Sequence, residues 1–147
     1  MRGWGMHQSC LLCGEVDETR DHLLFACPYS FTVWNWLCSG LLGDRINPNW
    51  NITTRSLTCH WRDKHNTMLL KLAFQATVYS VWRERNDRRH NRSPRTALHI
   101  AHSIVHIINL RIDSLFPTDD DERSSLRHRW ASFSTIPSTP LDLGNYG

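Results

Sequence analysis

Three cysteines and one histidine near the start of the chain have the spacing of a structural zinc site. They read Cys-x2-Cys-x8-His-x4-Cys, and the candidate ligands are Cys10, Cys13, His22 and Cys27. Zn²⁺ favours four nitrogen and sulfur ligands in a tetrahedron, and a closed set of four leaves no open position for a substrate. Gly14 gives the Cys-x-x-Cys turn the backbone freedom it needs. The pattern predicts a small Cys3His zinc knuckle that holds a structural Zn²⁺.

Three other interpretations of these residues stay open. The thiols could be buried apolar side chains beside a surface histidine, because free cysteine packs readily in protein cores. The Cys-x-x-Cys pair could be a redox site, although no strand and βαβ pattern surrounds it. His7 could replace His22 as the fourth ligand, although it precedes both thiols of the pair. The spacing of the four residues favours zinc over these interpretations.

The composition is that of a folded protein of one domain, or of a metal module joined to a helical one. The 147 residues are 40% hydrophobic, and the net charge of +3 does not by itself indicate a nucleic-acid-binding protein. Five cysteines without a secretory signal predict a reducing, intracellular compartment, with a nuclear location left open. No apolar run reaches the ~20 residues of a membrane span, so we expect no membrane contact.

Hydrophobic periodicity predicts a mainly α-helical fold around the zinc knuckle. Asp17 or Thr19 is predicted to cap a short helix that carries His22. Pro28 suits the first turn of a second helix, which ends at about Ser39.

Two longer apolar stripes predict an antiparallel helical hairpin over residues 67–116. The first helix runs to about His90, with apolar residues at steps of three and four on one face. Its stripe consists of Leu69, Leu70, Ala73, Phe74, Thr77, Val78, Val81 and Trp82. The second helix begins with Ser93 as N-cap and Pro94 in the first turn, and runs to about Phe116. The short connection makes the two helices antiparallel neighbours.

The predicted fold divides into four parts. These are a zinc-binding module over residues 1–39, an irregular connection over 40–66, the helical hairpin over 67–116 and a polar, largely disordered tail over 117–147. Turn-forming residues mark the connection, and polar residues with Pro and Gly dominate the tail. A last short helix from Arg123 to Trp130 is compatible with the pattern.

The end of the first hairpin helix is strongly basic. From position 83 to 95, six arginines stand against Glu84 and Asp87, so this segment alone carries a net charge of +4. Arginine offers forked donors that match phosphate oxygens, so the segment could bind RNA or DNA. A solvated helix end is an equally good interpretation, because cations suit the C-terminal end of a helix. The candidate nucleic-acid-binding residues are Arg83, Arg85, Arg88, Arg89, Arg92 and Arg95.

Two further patterns each have a functional and a structural interpretation. Trp34 and Trp36 could form a base-stacking platform, but aromatic residues at helical spacing are far more often core. His99, His102 and His106 share a helix flank and could hold a metal, but no acidic or thiol partner completes the set. We favour the structural interpretation of both.

The N-terminal pattern resembles the zinc-binding domain attached to plant LINE-type (non-LTR) reverse transcriptases. The resemblance rests on Trp4, the cysteine pair and Glu-Thr-Arg-Asp-His-Leu-Leu-Phe-Ala-Cys over residues 18–27. The later Tyr-x-x-Trp-Arg-Glu-Arg-Asn over residues 79–86 resembles the segment that follows that domain. The resemblance covers residues 1–92 and implies the same four metal ligands. In such elements the domain begins upstream of Trp4, so we expect an N-terminally truncated domain.

The catalytic motifs of such an element are not visible in the sequence. No Tyr-x-Asp-Asp or Phe-x-Asp-Asp turn lies between apolar strands, and the spaced carboxylates of a ribonuclease H are missing. We therefore expect a non-catalytic, retrotransposon-derived zinc module that binds RNA or DNA. Two alternatives stay open: a zinc-stabilised module for contacts with a protein partner, and a non-functional retroelement relic. A hydrolytic zinc is disfavoured because it would need three protein ligands and a water.

Overall fold

The computed structural model of the chain describes residues 8–15, 17–58 and 62–137. In these ranges the protein is mainly helical and contains no strand. In the described residues, five α-helices follow the zinc-binding segment, which spans residues 10–27. These are α1 (Pro28–Leu42), α2 (Trp50–Ser56), α3 (Lys64–Arg89), α4 (Ala97–Leu115) and α5 (Asp120–Phe133). The prediction of a mainly α fold that begins with a Cys3His cluster is confirmed. None of the helices in the described ranges combines the length and apolar character that a membrane span requires.

The α3 helix begins three residues earlier than the apolar stripe predicts. Asp63 caps it, because its Oδ1 accepts a hydrogen bond from His65 N at 2.7 Å. Such a cap satisfies a backbone donor that has no partner within the helix. The start of α3 therefore lies within the predicted irregular connection of residues 40–66, which also contains α2.

The α4 helix begins later than predicted. Thr96 is its N-cap, with Oγ1 accepting a hydrogen bond from His99 N at 3.1 Å, so the prediction that Ser93 and Pro94 begin this helix is wrong. The reason lies in the backbone of Arg95. Its N–H donates to Glu84 Oε2 at 2.9 Å, which fixes the connection before the helix can begin.

The α3 and α4 helices pack together as an antiparallel hairpin. Leu72, in the first half of α3, lines a groove with Arg111 near the end of α4. Further along α3, Arg83 lines a second groove with Ile100, near the start of α4. The buried stripe of α3 is rotated from the predicted one, because it includes Ala76, Ser80 and Glu84. As a result Trp82, predicted to face the core, is 42% exposed.

A cluster of aromatic rings joins the zinc-binding segment to the helices. The Phe25 ring lies 5.2 Å from the Trp34 ring of α1, 5.7 Å from Trp50 of α2 and 5.7 Å from Phe74 of α3. Phe25 and Trp34 are completely buried. Burial of such large apolar side chains is a major source of stability, so the cluster ties three helices to the metal-binding segment.

The α5 helix covers the far side of α1 and α4. Leu126 and Trp130 are buried, and α1 approaches closely at Gly40, where an added Cβ would lie 2.6 Å from Phe133 O. Residues 117–147 were expected to be a polar, largely disordered tail, but residues 120–133 are helical. The two buried side chains lie one helical turn apart, and ion pairs from Arg127 to Asp113 of α4 and from Arg129 to Asp63 add to the contacts of this helix. Residues 138–147 lie outside the described part of the chain.

Candidate metal centre and the basic end of α3

The first two candidate ligands belong to one tight turn. Gly14 N donates a hydrogen bond to Cys10 O at 2.8 Å, and Cys10 N donates to Glu15 O at 2.6 Å. Gly14 has a φ of 81°, in the left-handed region that glycine adopts at little steric cost. The turn returns the chain on itself, and this brings Cys13 close to Cys10.

A π-helical turn over His22–Ala26 positions the other two ligands. Thr19, one of the two predicted caps, accepts a hydrogen bond from His22 N on its Oγ1 at 3.1 Å. At the end of the turn, Cys27 N donates to His22 O at 2.6 Å, a bond that spans five residues. Such wide turns are rare and often occur at functional sites.

The four candidate ligands converge. One ligand atom from each of Cys10, Cys13, His22 and Cys27 lies within 4.8 Å of the other three, the one such group in the described part of the chain. Cys10 Sγ and Cys27 Sγ are 3.9 Å apart, and Cys13 Sγ is 3.3 Å from His22 Nε2. Zn–S bonds of about 2.3 Å in a tetrahedron place two sulfurs about 3.8 Å apart. The donor set and its spacing therefore fit one Zn²⁺.

Burial makes ionisation of these thiols depend on a bound cation. Cys27 is completely buried and Cys10 nearly so. Burial raises the pKa of the Cys27 thiol to about 12 and raises that of Cys10 as well. Thiolates are the metal-ligating form, and a divalent cation supplies the charge that stabilises them in such a site. Four protein ligands leave no open position, so the arrangement is that of a structural site.

One comparison with known proteins found a match. Residues 1–34 match the family model described as zinc-binding in reverse transcriptase. This segment is similar to the zinc-binding domain of reverse transcriptases. The matched residues include all four converging ligands. The family model describes a zinc-binding domain, not a polymerase domain. No curated protein and no solved structure matches the chain.

Glu18 links the zinc-binding segment to α3, a role that the sequence does not reveal. Its Oε1 accepts a hydrogen bond from Arg85 Nε at 3.0 Å, and Arg85 Nη2 lies 2.8 Å from the same oxygen. Its other oxygen accepts a hydrogen bond from Leu11 N, within the cysteine turn, at 3.2 Å. The Glu18 and Arg85 side chains are 1% and 3% exposed. Arg85 therefore forms a buried internal ion pair.

Arg88 makes a second connection between α3 and the cysteine turn. Its Nη1 donates hydrogen bonds to Leu11 O at 3.1 Å and Leu12 O at 3.3 Å. Its Nε donates to Glu84 Oε2 at 2.8 Å, and its guanidinium lies 5.0 Å from the centre of the Tyr29 ring. The side chain spans three neighbouring elements, so its donors are largely used inside the protein.

Glu84 fixes the connection between α3 and α4. The completely buried carboxylate accepts hydrogen bonds from Arg88 Nε, from Arg95 N at 2.9 Å and from Arg95 Nε at 2.8 Å. Burial raises the pKa of Glu84, but the hydrogen bonds from Arg88 and Arg95 outweigh burial and lower it below its ordinary value. Glu84 is thus a charged carboxylate held between two arginines.

The other three predicted arginines lie at the surface. The Arg83 side chain is 57% exposed and the Arg92 side chain 69%, and each lies beside Asp87, at 4.0 and 3.0 Å. Arg89 is exposed as well. The structure therefore divides the six predicted residues into an internal group and a surface group. The internal group is Arg85, Arg88 and Arg95, and the surface group is Arg83, Arg89 and Arg92.

The tryptophan pair and the histidine row of the sequence analysis lie outside the converging ligand group. Trp34 is fully buried and Trp36 half-buried, as the core interpretation of these two residues expects. His99, His102 and His106 lie exposed along α4. Among the aromatic residues that the structure describes, Tyr79 and Trp82 of α3 are the exposed ones, at 58% and 42% exposure. Trp4, part of the family resemblance, and His7, the alternative fourth ligand, lie outside the described residues.

Proposed function

We propose that this chain is a non-catalytic structural-zinc module derived from a retrotransposon reverse transcriptase of the plant LINE type, and that it binds RNA or DNA. The observation that carries the zinc part is the convergence of four ligands in a segment that matches the reverse-transcriptase family model. The closed ligand set argues against hydrolysis, because a catalytic zinc keeps one position for water.

The surface group of arginines supports the nucleic-acid part. Arg83 and Arg89 lie in the last turns of α3 and Arg92 in the connection that follows, and the side chains of all three reach solvent. Guanidinium groups bind phosphate oxygens through forked hydrogen bonds, and neutralising phosphates releases counterions. The internal group supports the same function indirectly, because it fixes the end of α3 against the zinc-binding segment.

A module for contacts with a protein partner is the second candidate. It is favoured by the exposed apolar side chains of Tyr79, Trp82 and Leu110, since exposed aromatic residues are common at protein interfaces. A non-functional relic would bind neither kind of partner. Binding measurements with oligonucleotides distinguish the nucleic-acid function from these two alternatives.

The test is the salt dependence of binding to fluorescent single-stranded RNA and DNA. We expect the logarithm of the binding constant to fall with the logarithm of salt by about 0.7 per phosphate contacted on a single strand. Replacing Arg83, Arg89 and Arg92 together by Gln should lower this slope by about 2. Wild-type protein that shows no salt-sensitive binding would disprove a nucleic-acid function.

The control variant removes the same charge elsewhere. Arg45, Arg55 and Lys64 are exposed, and they lie before α2, in α2 and at the first residue of α3. Replacing these three residues together by Gln changes the net charge by the same amount. We expect this variant to lose much less affinity than the surface-group variant. Equal losses would show that attraction to the whole protein, rather than the surface group, causes binding.

A further inference from the structure

Two aromatic side chains stand exposed on one face of α3. Tyr79 and Trp82 are 58% and 42% exposed, although large aromatic residues are usually buried. They are three residues apart in a helix, so their side chains are neighbours on its surface. Together they form an exposed apolar surface next to the basic end of the helix.

An arginine of the internal group supports one of these rings. The Arg85 guanidinium lies 5.4 Å from the centre of the Trp82 ring, in a cation–π contact. Arg85 is itself held by Glu18 at 3.0 Å, beside the cysteine turn. The indole is thereby held against a fixed group while much of its surface stays open to solvent. A ring on which bases stack must be both fixed in position and exposed to solvent.

Cationic side chains lie on the same helix face. Arg83 follows Tyr79 by four residues and Arg89 follows Trp82 by seven, and both spacings return to one side of a helix. From Tyr79 to Arg89 the face extends about 15 Å along the helix axis. Its charge complements phosphate, whereas its rings offer flat apolar surfaces.

We propose that the face formed by Tyr79, Trp82, Arg83 and Arg89 binds single-stranded nucleic acid. Unpaired bases stack on the two aromatic rings, and the arginines contact the flanking phosphates. Every base has a π face, so this binding tolerates many sequences, whereas the bases of a duplex are already stacked on each other. The inference rests on the proposed nucleic-acid function and adds the class of ligand and the residues that bind it.

The first experiment compares three oligonucleotides with the zinc-loaded full chain. They are a mixed-sequence single strand, an abasic strand of equal length and a duplex of that sequence. We expect the base-carrying single strand to bind about tenfold tighter than the abasic strand, which has phosphates but no bases to stack. We also expect it to bind tighter than the duplex.

The second experiment replaces the aromatic residues. Trp82→Ala and Tyr79→Ala should each weaken binding of the base-carrying strand by about tenfold and leave the salt slope unchanged. Trp82→Phe should retain most of the affinity, because a smaller ring still stacks. Leu110→Ala removes an equally exposed apolar side chain from α4 and should have no effect. Zinc content and circular dichroism verify that each variant is folded.

The outcomes separate this inference from the proposed function. If the abasic and base-carrying strands bind equally and salt-sensitively, the stacking proposal is wrong and the phosphate contacts stand. If Trp82→Ala and Tyr79→Ala bind the base-carrying strand as the wild type does, stacking on this face is likewise excluded. If no strand binds, both proposals fail. Contact with a protein partner is then the candidate role for the exposed rings.

Discussion

Glu18 and Arg85 form an almost completely buried ion pair between the zinc-binding segment and α3. The Arg85 Nε donates to Glu18 Oε1 at 3.0 Å, and the two side chains are 67 residues apart in the sequence. Because Leu11 N donates to the second oxygen of Glu18, the same carboxylate also fixes the cysteine turn. The zinc-binding segment and the helical hairpin therefore form one structural unit, which can be tested by mutation.

Glu18→Gln should destabilise the protein strongly. The substitution leaves the Arg85 charge buried without its counter-ion, and removal of one partner of a buried pair costs about 3–5 kcal/mol. The free energy of unfolding in urea measures the effect. Glu15→Gln, which changes an exposed carboxylate in the same turn, should cost less than about 0.5 kcal/mol. Equal effects of the two substitutions would contradict a structural role for the pair.

Removal of the metal should loosen the helices as well as the knuckle. Phe25, between His22 and Cys27, packs against Trp34 and Phe74, so disorder of the segment opens the core. We expect one zinc per chain by atomic emission, and chelation should lower both the thermal midpoint and the helical circular-dichroism signal. An unchanged midpoint after complete removal of the zinc would show that the core is independent of the metal.

Two buried cysteines provide a matched pair for this experiment. Cys27 is a candidate ligand, whereas Cys38 is a buried thiol outside the ligand group, and both are completely buried. Cys27→Ala should abolish stoichiometric zinc binding. Cys38→Ala should retain the zinc and cost only about 1 kcal/mol, because it leaves a small cavity. Retention of one tightly bound zinc by Cys27→Ala would disprove the ligand assignment.

Glu84 should make the stability of the protein depend on acid pH. Because the pKa of Glu84 in the folded protein is below the ordinary value of 4.5, its stabilisation is complete above that value. It is lost as the pH falls through the folded pKa. Glu84→Gln should cost about 3 kcal/mol at pH 7, since it removes the buried negative charge that accepts hydrogen bonds from both Arg88 and Arg95. The difference between the unfolding free energies of the variant and the wild type should shrink below pH 4.5.

Urea unfolding of both proteins across this pH range measures that difference. Both proteins keep the same metal ligands, so acid release of zinc affects them alike and cancels in the comparison. A difference between the two proteins that stays constant from pH 7 to pH 3 would contradict the role assigned to Glu84.

Gly40→Ala should destabilise the contact between α1 and α5. A Cβ at this position would lie 2.6 Å from Phe133 O, a backbone atom that moves only if α5 shifts. We expect a cost of about 1–3 kcal/mol, as for other overpacked sites. Helix propensity alone predicts the opposite sign, because Ala is favoured over Gly by about 1 kcal/mol. The thermal midpoint decides the sign, with exposed Ser124→Ala in α5 as the control.

The convergence of the four candidate ligands could be predicted because all of them lie within one short segment. Their spacing over residues 10–27 restricts the geometry, so the chemistry is visible before the fold is known. The mainly helical fold was equally accessible, since periodic apolar residues give a local signal. The start of α4 was harder to predict. It depends on the hydrogen bond from Arg95 N to Glu84, which is a tertiary contact that the local sequence does not show.

The separate roles of the arginines could not be predicted from the sequence. Arg85 and Arg89 belong to one basic run, and only the distant Glu18 makes the first of them internal. The position of α5 was hidden for a similar reason. Leu126 and Trp130 stand in a mostly polar stretch, so they give only a weak periodic signal. They are buried only because α1 and α4 pack against them.

The Phe25 ring determines whether the metal-binding stretch could fold in another protein. The family match ends at residue 34, inside α1, while Phe74 on α3 covers the ring from the other side. A transplanted copy of that stretch would carry its four ligands and Trp34, but not Trp50 or Phe74, which cover the rest of the phenyl ring. A host protein would have to supply apolar side chains in place of these two, so the stretch can be moved only into surroundings that bury Phe25.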